Sequence, residues 1–372
     1  MIDPRFEEPL RALVDSLPSG TPDRDLYERI LRQVVALHRR GLDRGELKLL
    51  SGALKDFARA CEVFGRHRDR RKVAIFGSAR TPPGSPIYEH CRRFARAIVE
   101  RGYMVITGAG PGIMQAGNEG AGRDDSFGVS INLPFEASAN PFIDGDPKLV
   151  HFKYFFTRKL AFVKESAAIV LFPGGFGTHD EGYESLTLLQ TGKSDPVPVI
   201  LMDLPGGDYW PSWERYQREN LLARGLISPS DRNLYRYTTD IDKAVEEIER
   251  FYRVYHSIRY VGEWTVLRLK RAPTPELMAR LNERFRDLLA AGDFEVGDAH
   301  PEESDESEAV RSLPRIQFRF SRRHLGRLRR LIDEINLSVP DAPAVGAARD
   351  PHAGTGSWKL SEVIDGEDLP PE

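Results

Sequence analysis

The chain has 372 residues, 53 Lys and Arg against 56 Asp and Glu, and a formal net charge of −3. That balance carries no electrostatic footprint for nucleic acid, and no apolar stretch approaches the roughly 20 residues that cross a bilayer. The cysteines Cys61 and Cys91 lack metal or redox spacing, and Met1-Ile2-Asp3-Pro4 opens no signal-peptide pattern; the expectation is a cytoplasmic, reduced protein with room for two or three compact units.

Residues 1–70 read as a helical segment. Thr21-Pro22 predicts a cap followed by proline at the first helical position, and Leu26, Ile30, Val34 and Leu37 continue one face. Leu47, Leu50, Leu54, Phe57, Cys61 and Phe64 then recur three and four apart, a seam suited to packing on the main domain or on a second subunit. From 71 to 255 apolar strands at 73–76, 104–107, 128–133, 167–172, 197–202 and 234–237 alternate with helices, among them 88–101, one starting near Gly112, and 154–166. This βαβα order predicts an α/β fold, a Rossmann-like doubly wound parallel sheet covered on both faces.

The pattern changes over 256–338, which reads as a small α+β unit. It has a strand at 264–269, a helix capped at Thr274-Pro275 carrying Leu277, Leu281, Phe285 and Leu288, and a short strand at Phe294-Glu295-Val296. An acidic loop over 301–308 is expected to be mobile. Ile316, Phe318 and Phe320 alternate with polar residues, so the sheet is expected to keep one wet face, and a last helix carries Leu325, Leu328, Ile332 and Ile335. No catalytic constellation falls in this unit. Residues 339–372, rich in Pro, Gly, Ala and acids, are expected to form a disordered tail.

The most informative stretch is Pro173-Gly174-Gly175-Phe176-Gly177-Thr178-His179-Asp180-Glu181. It follows a buried-strand pattern and enters a helical one, so unpaired backbone N–H groups are expected at the positive end of a helix, a geometry that receives phosphate. Glycine lets the backbone approach the anion closely. Thr178 adds a hydroxyl, and Glu181 a carboxylate one turn in. The same two residues also fit a Thr-x-x-Glu capping box, in which both would be structural. A second turn, Gly108-Ala109-Gly110-Pro111-Gly112, follows another strand and favours the anion reading. Two such turns at the carboxyl ends of strands in one sheet would share one crevice, where open α/β sheets bind ligands.

Four segments in order resemble the LOG (lonely guy) family of nucleoside 5′-monophosphate phosphoribohydrolases, whose longer members are often labelled lysine decarboxylases. They are Phe76-Gly77-Ser78-Ala79-Arg80, Thr107–Met114 with its glycine turn, Tyr154-Phe155-Phe156-Thr157-Arg158-Lys159, and the Pro-Gly-Gly-x-Gly-Thr-x-x-Glu signature ending at Glu181. Leu133-Pro134-Phe135-Glu136 with Asn140-Pro141 also resembles the longer variants. The resemblance covers about half the chain and neither flank.

By position, the resemblance implies that Arg158 and Glu181 are the catalytic pair. It also implies that Gly174, Gly175, Gly177 and Thr178 bind the 5′-phosphate, and that Gly77, Ser78, Arg80, Gly110, Met114, Gln115 and Lys159 belong to the substrate cleft. Gln115 departs from the glutamate usual after that methionine, which bears on rate and substrate choice. Phe156 stands where shorter members commonly have histidine. The implied reaction is hydrolysis of the N-glycosidic bond of a nucleotide such as AMP or a cytokinin riboside monophosphate to base and ribose 5-phosphate, with no metal or cofactor, in a homodimer or higher homo-oligomer.

His179 and Asp180 are expected on the solvent or cap side of the helix. The alternative function is a non-catalytic nucleotide sensor, in which the flanking units report occupancy. A dehydrogenase is disfavoured because Gly77-Ser78-Ala79-Arg80 is no Gly-x-Gly-x-x-Gly turn and Ile113 replaces the third glycine of the second turn. A pyridoxal decarboxylase is disfavoured because no lysine is placed for a Schiff base.

Overall fold

A computed structural model of the chain describes residues 4–18, 20–21, 23–131, 139–304 and 306–339. The expected tail past 339, the Leu133-Pro134-Phe135-Glu136 segment and Pro22 therefore lie outside the described residues. Packing divides the chain into two compact units, Met1–Lys55 and Asp56–Glu372.

The first unit is helical: α1 (Pro4–Asp15), α2 (Arg24–Leu37) and the opening turns of α3 (Arg44–Gly65). Leu10 and Val14 of α1 are buried, and Arg32 of α2 pairs with Glu7 of α1 at 2.9 Å. Thr21 does not cap α2. Its hydroxyl donates to the Pro18 carbonyl at 2.7 Å, and Asp23 takes the cap position with φ 55°. Within the apolar seam, Leu47, Leu50 and Leu54 are exposed in the single chain. α3 instead buries Asp56, Ala60, Val63 and Phe64 at its far end, in the second unit.

The second unit runs β1 (Lys72–Phe76), α4 (Pro86–Glu100), β2 (Met104–Thr107), α5 (Ile113–Ala121), β3 (Ser126–Ile131), β4 (Leu149–Phe152), α6 (Phe155–Glu165), β5 (Ser166–Leu171), α7 (Phe176–Thr191), β6 (Val199–Met202), α8 (Tyr209–Tyr216), β7 (Arg236–Thr238) and α9 (Ile241–Phe251). The seven strands form one sheet in the order β4-β3-β2-β1-β5-β6-β7, with every neighbouring pair parallel. Alternate residues of β1 serve opposite faces. Val73 and Ile75 pack with α4, α5 and α9, while Ala74 and Phe76 pack with the end of α3, α6 and α8. That two-sided burial is why these strands read as unbroken apolar runs. The expected doubly wound α/β fold is therefore present. The strand order reverses between β1 and β5, which makes that junction the place for a ligand crevice.

Then follow β8 (Tyr255–Val261), β9 (Trp264–Leu269), α10 (Pro275–Arg284), β10 (Leu289–Gly297), α11 (Glu308–Arg311), β11 (Arg315–Phe320) and α12 (Leu325–Leu337). The strands form an antiparallel sheet in the order β10-β11-β9-β8. Leu267, Phe318 and Ile335 share one apolar cluster with Val73 and Val170, so the core is continuous between the two sheets. Thr274 caps α10 as predicted, accepting from the Leu277 N–H at 3.3 Å.

The expected wet face is covered in part by the acidic loop, whose Glu303 and Glu306 are buried. Arg268 pairs with Glu303 at 2.6 Å and Glu306 at 2.9 Å, Arg315 with Glu303 at 3.1 Å, and Arg259 with Glu306 at 2.8 Å. Arg268 and Glu303 are each 0% exposed. Charges that alternate along a strand look solvated, yet here they neutralise one another under a covering segment. Among the described residues no helix is long and apolar enough to cross a membrane, and no cluster of side chains has the composition of a metal site.

Candidate active site

The register of β1 on β5 pairs Phe76 with Leu171, and the Phe172 N–H donates to the Phe76 carbonyl at 2.8 Å. The turns that leave these strands, at Gly77 and at Pro173, therefore lie side by side. Ser78 joins them. Its N–H donates to the Pro173 carbonyl at 3.1 Å, and its carbonyl accepts from the Ile113 N–H at 3.0 Å, which brings in the second glycine turn. Two glycines are fixed by space. A Cβ on Gly77 would sit 2.6 Å from the Ile113 side chain, and one on Gly174 would sit 2.9 Å from the Ser78 nitrogen while also striking Thr178.

The helix α7 starts earlier than a capping box would require. Gly175 holds the cap position, Phe176 is the first helical residue, and no side chain caps this end. Thr178 and Glu181 thus lie inside the first turns, and the capping-box alternative is removed. The Thr178 N–H donates to the Gly175 carbonyl at 3.1 Å, whereas the Phe176 and Gly177 N–H groups have no acceptor within the helix. A Cβ on Gly175 or Gly177 would enter open space on the cleft side.

Arg158 comes from the first turn of α6. That turn is anchored from α3, since the buried Asp56 carboxylate accepts from the Lys153 N–H and the Thr157 hydroxyl, both at 2.9 Å. The Arg158 guanidinium lies 3.5 Å from Glu181 Oε1 and 5.0 Å from the centre of the Phe155 ring. Glu181 is only 6% exposed. Burial pushes its carboxyl up to about 7, with Lys159 and Arg158 opposing the shift. A carboxyl titrating near neutrality beside a fixed cation, in a cleft, is the arrangement expected of a catalytic group.

Both residues line a cavity of about 750 Å³. It is lined also by Phe76, Gly77, Ser78, Arg80, Gly108, Met114 and Phe162, and by Gly174, Gly175, Gly177 and Thr178. Three expected members are not among the lining residues. Gly110 packs behind Met114, and Lys159 is held by Asp180 at 2.8 Å and Glu184 at 3.0 Å. Gln115 turns to the Tyr88 hydroxyl, which also bonds Glu119 at 2.5 Å.

Two members were not expected. His179 lines the cavity instead of facing solvent, and Tyr209, from the start of α8, lines it beside His179. The Tyr209 oxygen lies 2.8 Å from His179 Nε2 and 2.5 Å from the Gly174 carbonyl oxygen. Their rings stack with centroids 5.8 Å apart, and burial holds the His179 imidazole below its usual range. The only sequence signal was the histidine within the motif; nothing linked it to a tyrosine thirty residues on.

Residues 111–248 match the family model described as "Possible lysine decarboxylase". A cytokinin riboside 5′-monophosphate phosphoribohydrolase of Arabidopsis thaliana is 28% identical over 120 residues, which are 32% of this chain and 54% of the relative. A probable enzyme of the same name from Oryza sativa subsp. japonica is 25% identical over 226 residues, 59% of this chain and 92% of the relative. This region of the chain is similar to the LOG family. The matched region contains Arg158, Glu181, both partners of the His179–Tyr209 contact and the whole Pro173 turn. The chain thus spans about half the length of the first of these relatives and most of the second. Among solved structures, the molybdenum cofactor binding protein of Rippkaea orientalis is 18% identical, covering 48% of this chain and 96% of its own, with a TM-score of 0.35. The Moco carrier protein of Chlamydomonas reinhardtii is 16% identical, covering 49% and 96%, also with a TM-score of 0.35.

Proposed function

We propose that the matched region hydrolyses the N-glycosidic bond of a nucleoside 5′-monophosphate, of the AMP or cytokinin riboside monophosphate type, to free base and ribose 5-phosphate. The observation that carries this reading is the 3.5 Å approach of Arg158 to Glu181 inside a cavity whose rim is the glycine start of α7. The Gly175, Phe176 and Gly177 amides and the Thr178 hydroxyl take the 5′-phosphate, and Arg80 adds charge at the cleft side. Anchoring the phosphate holds C1′ of the ribose near Glu181, so binding energy remote from the bond becomes rate.

Cleavage of the C1′–N bond sends its electron pair to the base and leaves positive charge on the sugar. The Glu181 carboxylate stabilises that charge and accepts a proton from the water that forms the new C1′–O bond, and that proton then passes to the departed base, which returns Glu181 to its carboxylate. Arg158 remains charged throughout. It orients the phosphoribosyl group or the departing base and is no proton donor at neutral pH. A Schiff-base decarboxylation has no support, because no lysine is among the residues lining the cavity. Purified protein incubated with a panel of nucleoside monophosphates is expected to release ribose 5-phosphate from at least one of them; a folded protein that releases none refutes the proposal.

The pH profile follows from the sign of the Glu181 shift. The working form is the carboxylate, and the group titrates at about 7. kcat/KM is expected to climb about tenfold per pH unit below that value and to level off above it. A profile flat from pH 5 to 8 would show that Glu181 does not act as a carboxylate.

A further inference from the structure

We propose that Tyr209 and His179 form a relay that fixes the Gly174–Gly175 peptide, and through it the phosphate site; this rests on the nucleotide reading of the cleft. Tyr209 has one hydroxyl proton and two close polar neighbours, the Gly174 carbonyl oxygen at 2.5 Å and His179 Nε2 at 2.8 Å. A carbonyl oxygen only accepts, so the proton goes to Gly174. His179 must then donate from Nε2 to the tyrosine oxygen, which sets its tautomer. The stack of the two rings and the edge contact of His179 with Trp210, at 6.0 Å between centroids, hold the imidazole in that orientation.

The consequence lies in the next peptide bond. A trans peptide is planar, so fixing the direction of the Gly174 carbonyl fixes the Gly175 N–H on the opposite side. That N–H belongs to the residue capping α7, where the proposed phosphate sits. Glycine at both positions leaves the peptide otherwise free to rotate. The relay supplies the restraint that side-chain bulk cannot supply here. It acts through the backbone and touches no reacting atom, so both residues are positioning residues.

The test uses the full chain and equilibrium binding, which does not depend on turnover. Calorimetric Kd values are measured for AMP, for ribose 5-phosphate and for adenosine, with the otherwise wild-type chain, Tyr209→Phe, His179→Leu and His179→Gln, each carrying Glu181→Gln so that AMP is bound and not cleaved. Tyr209→Phe is expected to weaken AMP and ribose 5-phosphate alike, by about tenfold, and to leave adenosine within about twofold. His179→Leu should follow the same ligand order with a smaller loss, and His179→Gln, whose amide can still donate to the tyrosine, should recover most of it. If Tyr209→Phe does not fold, the contrast of leucine with glutamine at 179 carries the result. Equal weakening of all three ligands, or unchanged Kd for ribose 5-phosphate in Tyr209→Phe, overturns the relay while the nucleotide reading stands. An otherwise wild-type chain that binds none of the phosphorylated ligands overturns both.

Discussion

Glu181→Gln is expected to cut ribose 5-phosphate release by about 10²–10⁴-fold while leaving AMP binding in place. The amide keeps the shape and hydrogen bonds of the carboxylate but neither its charge nor its basicity, so it removes what the developing sugar cation needs. A quench-flow or coupled assay for ribose 5-phosphate, paired with a binding isotherm, separates the two effects. The same substitution has a second, opposite signature in stability. Burial raises the Glu181 carboxyl to about 7 from its ordinary value of 4.5. The folded protein therefore keeps a proton that the unfolded chain gives up. The group's contribution is fully present below 4.5 and is lost as pH rises through 7. Glutamine carries no such loss, so the variant should be more stable than wild type at pH 8, by up to about 3 kcal/mol, and not at pH 4. A variant that loses activity and stability together would point to a structural glutamate.

Glu303→Gln is expected to be the most destabilising single change outside the cleft, costing about 3–5 kcal/mol. Glu303 lies between Arg268 and Arg315, all three at most 1% exposed. Desolvation penalises its charge, but the hydrogen bonds from Arg315, the His300 N–H and Arg268 outweigh it and hold its carboxyl below the usual range. Removing the charge leaves Arg268 with Glu306, which Arg259 shares, and leaves the buried Arg315 guanidinium with backbone carbonyls such as those of Arg311 and Val310. Urea unfolding of the variant should show the loss directly, and ribose 5-phosphate release per folded molecule should not change, because no residue of this cluster lines the cleft. A loss below about 1 kcal/mol would mean that the cluster is hydrated in solution and behaves as a surface network.

The parallel sheet was legible because burial on both faces makes strands such as Val73–Phe76 and Ala168–Leu171 continuous apolar runs. Arg158 and Glu181 were legible because each sits at a fixed offset in a motif with little freedom. β4 was missed because Leu149-Val150-His151-Phe152 is four residues long with a polar member, and β8 because Tyr255-His256-Ser257-Ile258-Arg259 interleaves polar side chains. Asp56 was hidden for another reason. It acts on the Arg158 turn across about a hundred residues of chain, a contact that no local pattern encodes. His179 was misplaced because helical phase beside Glu181 suggested the outer side, whereas the loop before α8 brings Tyr209 over it. The acidic stretch near Glu303 failed in the opposite sense. Composition gave solvent, and pairing with Arg259, Arg268 and Arg315 gave the interior.

The most direct measurement is the release of free adenine by the purified chain from AMP and from adenosine in parallel, with the sugar product assayed alongside. Phosphate-dependent cleavage, with sugar phosphate and free adenine appearing in equal amounts from AMP and nothing from adenosine, is the predicted result. Equal cleavage of both would contradict the anion-gripping turn at the start of α7. Tight binding of AMP and of every other monophosphate offered, with no bond broken, would contradict the catalytic assignment of Arg158 and Glu181.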